Sequence, residues 1–484
     1  MRLSDFAAGI HSSTMESIMV AVICALLSAA AFYLSIGMGE IWWLAWLAPI
    51  PVLWLAFGDT KGWQVLVASW AAYALGSTNI LVPYGGVLPL SVIILSLSVP
   101  SFFFAVSVLG ARFVARNLAP LAGILAFATL WTTFDFLASF SSGGGAVATP
   151  ATAEVGMPLL IQSASLVGVW GITFLLGFVS AGLALGLRKR SAVPAILAAS
   201  VFVANALYGT ARMSEAPISG KRVALIDTDN TQRAVFSDSE SDTRQTVDAY
   251  ANAITSLKDK SVELVVLPEK LAIVESEWQP QLKARLAGAA RAAHVTLVAG
   301  FDARDGVRSY NVSWAFMPDG AGPTIYTKRR LVPGLETRYT IGTGPRMLSD
   351  GTGLEICKDM DYQAMIRRDM VATKPLFLAV PAWDFGGDRW NHARDAILRS
   401  VENGVPMARA ARDGLLTLND RYGRVVAMTP TGGDFVTLIG TLPLAGTGGD
   451  TLYDRIGDAF GWLCLAIALG LVGGAAFERR RRTR

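Results

Sequence analysis

The sequence predicts a bundle of membrane-spanning α-helices joined to an α/β domain with a mixed sheet. Hydrophobic residues make up 52% of the 484 residues and charged residues only 17%. The mean hydropathy of +0.43 is too high for an ordinary soluble protein. Apolar runs crowd the chain before Gly209, whereas Ser219 to Asp450 has the charge and turn content of a globular domain. We therefore expect a membrane domain at 1–210, a globular domain at 219–450, a final span at 456–477 and a basic tail at 478–484.

The membrane domain is predicted from the lengths of its apolar runs. A transmembrane helix needs about 20 mostly apolar residues. About seven such stretches precede the globular domain, at 15–38, 41–57, 63–82, 87–109, 118–140, 159–187 and 192–208, and one more covers 456–477. We expect that the first stretch is not a cleavable signal peptide, because the next span follows it at once.

The distribution of cations predicts the topology. Lys61, the Arg112 and Arg116 pair, the Arg188 to Arg190 run and the arginines after Phe477 all lie in loops of the same parity. Loops rich in lysine and arginine stay in the cytoplasm. The globular domain is therefore expected on the outer face, which in a bacterium is the periplasmic or extracellular side.

Asp135 is the most unusual residue within the predicted spans. A carboxylate in this position is costly unless it faces water or a partner. Two interpretations remain open: Asp135 contacts a lipid headgroup or the outer domain, or it is an interfacial residue whose carboxylate reaches water.

The globular domain alternates short apolar runs with helical patterns. Strands are predicted at 223–226, 264–267, 296–300, 312–317, 325–327, around Cys357, and at 376–380, 407–410, 415–418, 425–428 and 435–438, with helices at 243–257, 281–293 and 389–403. Strands that alternate with helices and are followed by hairpins predict α/β layers around a mixed sheet.

One cysteine is placed for chemistry. Cys24 and Cys464 fall inside hydrophobic runs, where a thiol packs as a small apolar group. Cys357 is the one cysteine in the globular domain, at the end of a short apolar pattern. It would be a nucleophile if a base and cations were brought near, because the thiolate is the reactive form. On its own this stretch fits a buried structural cysteine better.

Two further residues follow predicted strands and complete a possible catalytic set. Glu269 follows Leu267-Pro268, and Lys328 follows the strand at 325–327. Catalytic groups collect at strand ends in α/β sheets. A carboxylate, an ammonium and a thiol supply a base, an oxyanion stabiliser and a nucleophile. Taken singly, Glu269 could also be a solvated turn residue and Lys328 a member of a basic trio.

Other classes of function are not indicated. His11, His294 and His392 are scattered and show no metal-ligand spacing, so we expect no metal and no cofactor. The net charge of +4 comes largely from the C-terminal arginines, so we expect no nucleic-acid partner.

The motifs resemble a known superfamily. Leu267-Pro268-Glu269, the run from Tyr326 to Pro333, and Ile356-Cys357 occur in the order and spacing of the nitrilase, or carbon–nitrogen hydrolase, superfamily. Seven spans before such a domain and one after it are similar to its membrane-bound branch, the apolipoprotein N-acyltransferases. The segments Pro158 to Gln162 and Gly168 to Gly171 also resemble the membrane region of that family.

The resemblance implies a fold, a location and an activity. The globular domain would be a nitrilase-like αββα sandwich inserted before the last transmembrane helix, on the periplasmic face of the bacterial inner membrane. The protein would transfer an acyl chain from a phospholipid to the N-terminal amine of a diacylglyceryl-lipoprotein through a cysteine thioester. By position, Glu269 would be the general base, Lys328 the oxyanion-stabilising cation and Cys357 the nucleophile, with Glu336 supporting the site.

Several residues near the site depart from the family pattern. The family usually has Cys-Tyr-Glu where this chain has Cys357-Lys358-Asp359, and Pro-Phe-Gly-Glu where it has Pro333 to Glu336. Lys358 would lower the pKa of the thiol if it pointed inward, and Asp359 is one methylene shorter than glutamate. Trp383 begins a loop that loosely matches a family loop and could be a lid, a lipid contact or an ordinary turn.

Two alternative functions remain open at this stage. A membrane-tethered amidase would release the thioester to water or to another amine. A degenerate homologue would act as a membrane scaffold or lipid-binding module, although a scaffold has no physical need for Glu269, Lys328 and Cys357 together.

Overall fold

The structure is a computed structural model that describes residues 3–86, 88–141, 145–146, 149–228, 236–433, 435–444 and 446–484, with side chains from Met15 onward. It forms two compact units. One contains Met1–Phe140, Ala148–Arg212 and Asp458–Arg484, and the other contains Ser141–Val147 and Met213–Gly457.

The first unit is helical. Its helices are α1 (Leu3–Ser35), α2 (Trp42–Leu47), α3 (Ile50–Ala56), α4 (Gly62–Gly76), α5 (Leu81–Tyr84), α6 (Leu90–Asn117), α7 (Pro120–Ala138), α8 (Ala164–Val167), α9 (Val169–Lys189) and α10 (Ala192–Arg212), with Ala459–Arg482 near the C-terminus. Seven helical segments among the described residues are long and apolar enough to cross a membrane: Met15–Ser35, Gly62–Tyr84, Leu90–Asn117, Pro120–Ala138, Val169–Lys189, Ala192–Arg212 and Ala459–Arg482.

Two of the expected spans differ in the structure. The stretch 41–57 forms the short helices α2 and α3 instead of one span. Pro49 interrupts the run because it has no N–H to donate, and Pro51 lies in the first turn of α3, where proline is favoured. The stretch 159–187 becomes a long helix only from Val169, after Gly168 adopts a φ of 73°. The expected start of another span, Val87, lies outside the described residues.

The second unit contains two β-sheets and their covering helices. Its strands are β1 (Ser219–Asp227), β2 (Leu264–Val266), β3 (Ile273–Val274), β4 (Thr296–Arg304), β5 (Ser309–Phe316), β6 (Thr324–Thr327), β7 (Arg346–Met347), β8 (Thr352–Leu354), β9 (Phe377–Trp383), β10 (Met407–Arg412), β11 (Leu415–Asn419), β12 (Val425–Pro430) and β13 (Val436–Leu444). Its helices are α11 (Glu240–Thr255), α12 (Gln279–Ala293), α13 (Gln363–Thr373), α14 (Arg389–Asn403) and α15 (Leu452–Ile456), and the C-terminal helix Ala459–Arg482 is α16.

The two sheets pack face to face. One has seven strands, in the order β13-β1-β2-β4-β5-β6 with β3 beside β4, and the other has six, in the order β12-β11-β10-β9-β8-β7. Between them lies a buried core to which Leu225 and Val266 of the first sheet and Ala379 and Ala408 of the second contribute. Side chains alternate between the faces of a strand, so neighbours such as Val265 face outward to the helices.

Helices cover the outer face of each sheet. Helices α11 and α12 pack on the first sheet through residues such as Val247 and Leu286. Helices α13 and α14 pack on the second through residues such as Ile366 and Ala396. The four layers confirm the αββα sandwich expected for this domain, with helix α14 at the bounds predicted from the sequence.

The sandwich places the candidate residues at strand ends. β1, β2 and β4 run parallel in one sheet, and β8, β9 and β10 run parallel in the other. Glu269 follows β2, Lys328 follows β6 and Cys357 follows β8. Chain segments that leave the carboxyl ends of parallel strands supply the site.

Candidate active site

Cys357 lies at a turn and not on a strand. β8 ends at Leu354, and Cys357 begins the short 3₁₀ turn Cys357–Asp361. Its φ of 42° is in the left-handed region, which is uncommon for a residue other than glycine and is often found at functional sites. The half-buried thiol donates a hydrogen bond to the main-chain oxygen of Trp383, with 3.6 Å between sulfur and oxygen.

The surroundings of Cys357 keep it protonated. Burial raises the pKa of the thiol, and the carboxylate of Glu269 raises it further, whereas the cations of Lys328 and Arg409 act in the opposite direction. The net effect is a pKa above the usual value for cysteine. Because the thiolate is the reactive form, chemistry at this residue requires a base that accepts the proton.

Glu269 and Lys328 form a buried ion pair. Lys328 Nζ lies 2.8 Å from Glu269 Oε1, and both side chains are almost fully buried. Asn311 Nδ2 donates a second hydrogen bond to the same oxygen at 2.5 Å. Burial alone would lower the pKa of Lys328, but Glu269, Cys357 and Glu336 together raise it well above the usual value. Lys328 is therefore a permanent cation beside the thiol.

Glu336 completes this charged cluster. Its Oε2 accepts hydrogen bonds from Lys328 Nζ at 2.8 Å and from the main-chain nitrogen of Val332 at 2.9 Å. Its Oε1 accepts from Lys270 Nζ at 2.8 Å and from Asn311 Nδ2 at 2.9 Å. Burial opposes ionisation, yet the two lysines lower the pKa of Glu336 to about 2. The altered residues before Glu336 therefore leave its carboxylate in contact with Lys328.

Asp359 connects the lysine segment to the cysteine turn. One carboxylate oxygen accepts from the main-chain nitrogens of Arg329 and Arg330, at 3.1 and 2.8 Å. The other accepts from the main-chain nitrogen of Ile356 at 3.2 Å and lies 2.7 Å from the hydroxyl oxygen of Tyr326. Burial raises the pKa of Asp359 to about 6. Asp359 thus joins the strand end that carries Lys328 to the turn that carries Cys357.

Lys358 and Trp383 each bind a carboxylate near the site. Lys358 Nζ binds Asp361 Oδ2 at 2.8 Å, so its ion-pair partner is a carboxylate. Burial opposes the charge of Lys358, but Asp361 raises its pKa. The indole of Trp383 donates to Asp413 Oδ2 at 2.9 Å. Its ring also faces Lys270 Nζ at 5.1 Å.

A second buried ion pair lies near the thiol and was not anticipated. Arg409 binds both carboxylate oxygens of Asp384, at 3.1 and 2.5 Å. Both side chains are almost fully buried, and Arg409 lowers the pKa of Cys357. A side chain on Gly414 would have its Cβ 2.2 Å from Asp384 Oδ2, so the pair needs glycine there. The signal in the sequence is a charged residue inside the apolar pattern of β10.

Asp135 lies in the helical unit, where two hydroxyl groups satisfy it. Thr149 Oγ1 and Thr173 Oγ1 donate to its Oδ2 at 2.6 and 2.7 Å. These bonds supply the partners that a carboxylate in an apolar helix requires.

The fold also brings three possible metal ligands together. Ligand atoms of Asp361, His392 and Asp395 lie within 4.8 Å of one another, although the sequence shows no such spacing. Lys358 already binds Asp361, and His392 Nε2 lies 2.8 Å from Asp388 Oδ2. These ion pairs already balance charges in the cluster, and we assign no metal to it.

Comparison with known proteins decides the family. The family model described as the apolipoprotein N-acyltransferase N-terminal domain matches residues 19–182, and the carbon-nitrogen hydrolase model matches residues 222–446. The chain belongs to the apolipoprotein N-acyltransferase family. An apolipoprotein N-acyltransferase of Geobacter metallireducens is 28% identical and covers 94% of this chain and 95% of its own. One from Azotobacter vinelandii is 27% identical, with 94% of this chain and 91% of its own covered.

A solved structure is similar to part of the chain. An amidase from Nesterenkonia sp. is 21% identical, covers 48% of this chain and 94% of its own, and gives a TM-score of 0.39. The membership in the apolipoprotein N-acyltransferase family therefore depends on the two family models and on relatives that match along nearly the whole chain.

Proposed function

We propose that this protein transfers an acyl chain from a phospholipid, through a thioester on Cys357, to the N-terminal amine of a diacylglyceryl-cysteine lipoprotein. The observation that carries the proposal is the buried pair of Glu269 and Lys328 acting on a half-buried thiol. The relatives that match most of the chain are named apolipoprotein N-acyltransferases.

In the first step, Glu269 takes the proton of Cys357 while the sulfur attacks the ester carbonyl of the phospholipid. The raised pKa of the thiol supports this role, because little thiolate exists before the base acts. The carbonyl oxygen becomes an oxyanion. Its charge is stabilised by Lys328, which stays protonated because its pKa is raised.

The tetrahedral intermediate then collapses to the thioester. The bond between the carbonyl carbon and the ester oxygen breaks, and Glu269 returns its proton to the lysophospholipid that leaves. The acyl chain remains on the sulfur of Cys357. No oxidant or cofactor is consumed, since one acyl bond is exchanged for another.

In the second step, an amine resolves the thioester. The α-amino group of the diacylglyceryl-cysteine attacks the thioester carbonyl, and Glu269 accepts a proton from the nitrogen as the amide forms. The carbon–sulfur bond breaks, and the sulfur recovers its proton from Glu269. A thioester suits this route because its acyl group passes readily to an amine.

The remaining polar groups support these roles by position. Glu336 and Asn311 hold Lys328 and Glu269 in place, and Asp359 fixes the distance between the lysine segment and the cysteine turn. Arg409 adds a positive charge that favours the thiolate during attack. We infer that these are positioning residues, and that Glu269, Lys328 and Cys357 contact the reacting atoms.

The chain is a multi-pass membrane protein, with seven helices long and apolar enough to span a bilayer in its described part. We propose that it lies in the bacterial inner membrane with the globular domain on the periplasmic side, because the cations cluster in loops of one parity. A periplasm-dependent reporter fused after Tyr208 should be active. Activity of a cytoplasm-dependent reporter at the same place would contradict this orientation.

A transfer assay tests the function. The purified full-length protein is given a phospholipid with a labelled acyl chain and a diacylglyceryl lipopeptide, and the label in the lipopeptide is measured. We expect transfer by the native protein and loss of transfer in Cys357→Ala, Glu269→Gln and Lys328→Met. Cys24→Ala is the matched control and should keep its activity, because Cys24 is buried in the helical unit. Label released as free fatty acid at the same rate with or without lipopeptide would favour the amidase-like alternative.

A further inference from the structure

Two adjoining cavities lie at one end of the helical unit and are lined by cations. The first, of about 390 Å³, is bounded by the ends of α3, α6 and α9 and by the start of α7. The second, of about 480 Å³, lies beside α6 and the arginine-rich end of α16. Arg112 and Arg116 line both cavities.

Two arginines organise the turn after α3. Arg112 Nη1 donates to the carbonyl oxygens of Ala56 and Gly58 at 2.8 and 3.1 Å, and its Nη2 donates to that of Thr60. Arg116 Nη2 donates to the carbonyl of Gly58 at 2.6 Å. The last carbonyls of a helix lack partners within the helix and favour cations. These contacts give the cavity wall a fixed shape.

The first cavity has an excess of positive charge. Arg112, Arg116 and Lys189 line it, against the single carboxylate of Asp59. That carboxylate is fully exposed and lies 3.9 Å from Arg116 Nη2. The ammonium group of Lys189 forms no hydrogen bond or ion pair with any residue that the structure describes. Arg479 adds a further cation to the second cavity.

The position of the cavities indicates what kind of anionic ligand could bind there. Arg116, Lys189 and Arg479 lie in the last turns of long apolar helices, which is the depth of lipid headgroups. Exposed apolar side chains adjoin them, among them Leu187 on α9 and Leu121 on α7. A ligand at this place can therefore be anionic at one end and apolar at the other. Basic pockets between membrane helices bind the headgroups of anionic lipids.

We propose that the adjoining cavities bind the headgroup phosphate of an anionic phospholipid, with Arg116 and Lys189 as its main contacts. The acyl chains lie along the apolar flanks of α7 and α9. The bound lipid is a structural ligand of the helical unit. Lipid binding at this site does not require the Cys357 reaction, so the binding test is independent of the outcome of the acyl-transfer assay.

Thermal unfolding of the delipidated full-length protein in detergent tests the site. A ligand that binds only the folded protein raises the Tm as its concentration rises. We expect phosphatidylglycerol to raise the Tm, and phosphatidylcholine with the same acyl chains to do so much less. Two lost cations in Arg116→Ala/Lys189→Ala should weaken the apparent affinity for phosphatidylglycerol about thirty-fold. High salt should weaken it as well.

A matched variant separates a site from general surface charge. Arg480→Ala/Arg482→Ala removes two cations from the same end of the unit, at residues that line neither cavity, and should change the affinity by less than about threefold. If the Arg116 variant fails to fold, Lys189→Glu alone should weaken binding at least about tenfold. Equal losses in both double variants would overturn the proposal. An equal Tm rise with inorganic phosphate would assign the cavities to a soluble anion and would also overturn it.

Discussion

Lys270 and Lys328 bind opposite oxygens of the Glu336 carboxylate, each with 2.8 Å between nitrogen and oxygen. Lys270 follows Glu269 directly and adopts a φ of 50°, which turns its side chain toward Glu336 while Glu269 pairs with Lys328. The cluster of Glu269, Lys270, Lys328 and Glu336 therefore has two charges of each sign. The cluster is therefore neutral before the reaction, and transfer of the Cys357 proton to Glu269 leaves the thiolate beside one net positive charge.

Replacement of Lys270 should make the thiolate harder to form. In Lys270→Met the cluster carries one net negative charge, which raises the pKa of Cys357. We expect the pH profile of Cys357 alkylation to move upward by about one pH unit, with slower acyl transfer at neutral pH. Lys270→Arg should restore both. Lys260→Met, which removes an exposed lysine, should leave the profile in place. An unchanged profile in Lys270→Met would mean that Lys270 has only a packing role.

Replacement of Glu269 should make the Cys357 thiol more reactive toward an alkylating agent while acyl transfer is lost. Burial raises the pKa of Cys357 most, and Glu269 raises it further. Glu269→Gln removes that negative charge and leaves Lys328, so the pKa should fall. We expect faster alkylation of Cys357 by iodoacetamide at neutral pH together with loss of acyl transfer. Alkylation that slowed in Glu269→Gln would contradict the electrostatic account.

Asp359 should be essential for the geometry of the site. Both of its oxygens accept hydrogen bonds, whereas asparagine would direct an NH₂ group at some of the same donors. Asp359→Asn should therefore cost about 1–3 kcal/mol of stability, seen as a lower Tm. Transfer should fall as well, because Lys328 is no longer fixed relative to Cys357. Asp359→Glu should not restore activity, since Asp359 is fully buried and an added methylene would shift both carboxylate oxygens away from their present donors.

The pair of Asp384 and Arg409 predicts a rescue of stability without a rescue of activity. Asp384→Ala leaves the buried Arg409 without its carboxylate and should cost about 3–5 kcal/mol of unfolding free energy. Asp384→Leu/Arg409→Met removes both charges and should be closer to the native protein in Tm. Its acyl transfer should remain low, because Arg409 lowers the pKa of Cys357 by more than Asp384 raises it, and the loss of both leaves the thiolate harder to form. A double variant less stable than Asp384→Ala would show that the pair itself stabilises the fold.

The strand ends near Glu269, Lys328 and Cys357 could be predicted because their signals are local, whereas the αββα layering was expected only from the family resemblance. Glu269, Lys328 and Cys357 each follow an apolar strand pattern, and strand ends in such a sandwich lie at one edge. The prediction of a single spanning helix at 41–57 was wrong. The apolar composition of this stretch does not show that Pro49 and Pro51 divide it into two short helices. The helix Gln363–Thr373 was missed, since its apolar stripe is short and Arg367 and Arg368 interrupt the apolar pattern.

The partners of the central residues could not be predicted from local patterns. Asn311 lies 42 residues from Glu269, and Arg409 lies 25 residues from Asp384. Each contact exists only after strands from distant parts of the chain have paired. The same holds for Asp359, because its carboxylate accepts hydrogen bonds from two main-chain segments that are separate in the sequence.

The most direct test of the account is the intact mass of the full-length protein after incubation with a phospholipid in the absence of acceptor. A thioester on Cys357 predicts an increase equal to one acyl chain, which hydroxylamine removes and which is absent from Cys357→Ala. The lipopeptide should discharge this adduct faster than buffer alone does. An adduct of equal size on Cys357→Ala, or no adduct on a native protein that still transfers the acyl chain, would contradict the central claim.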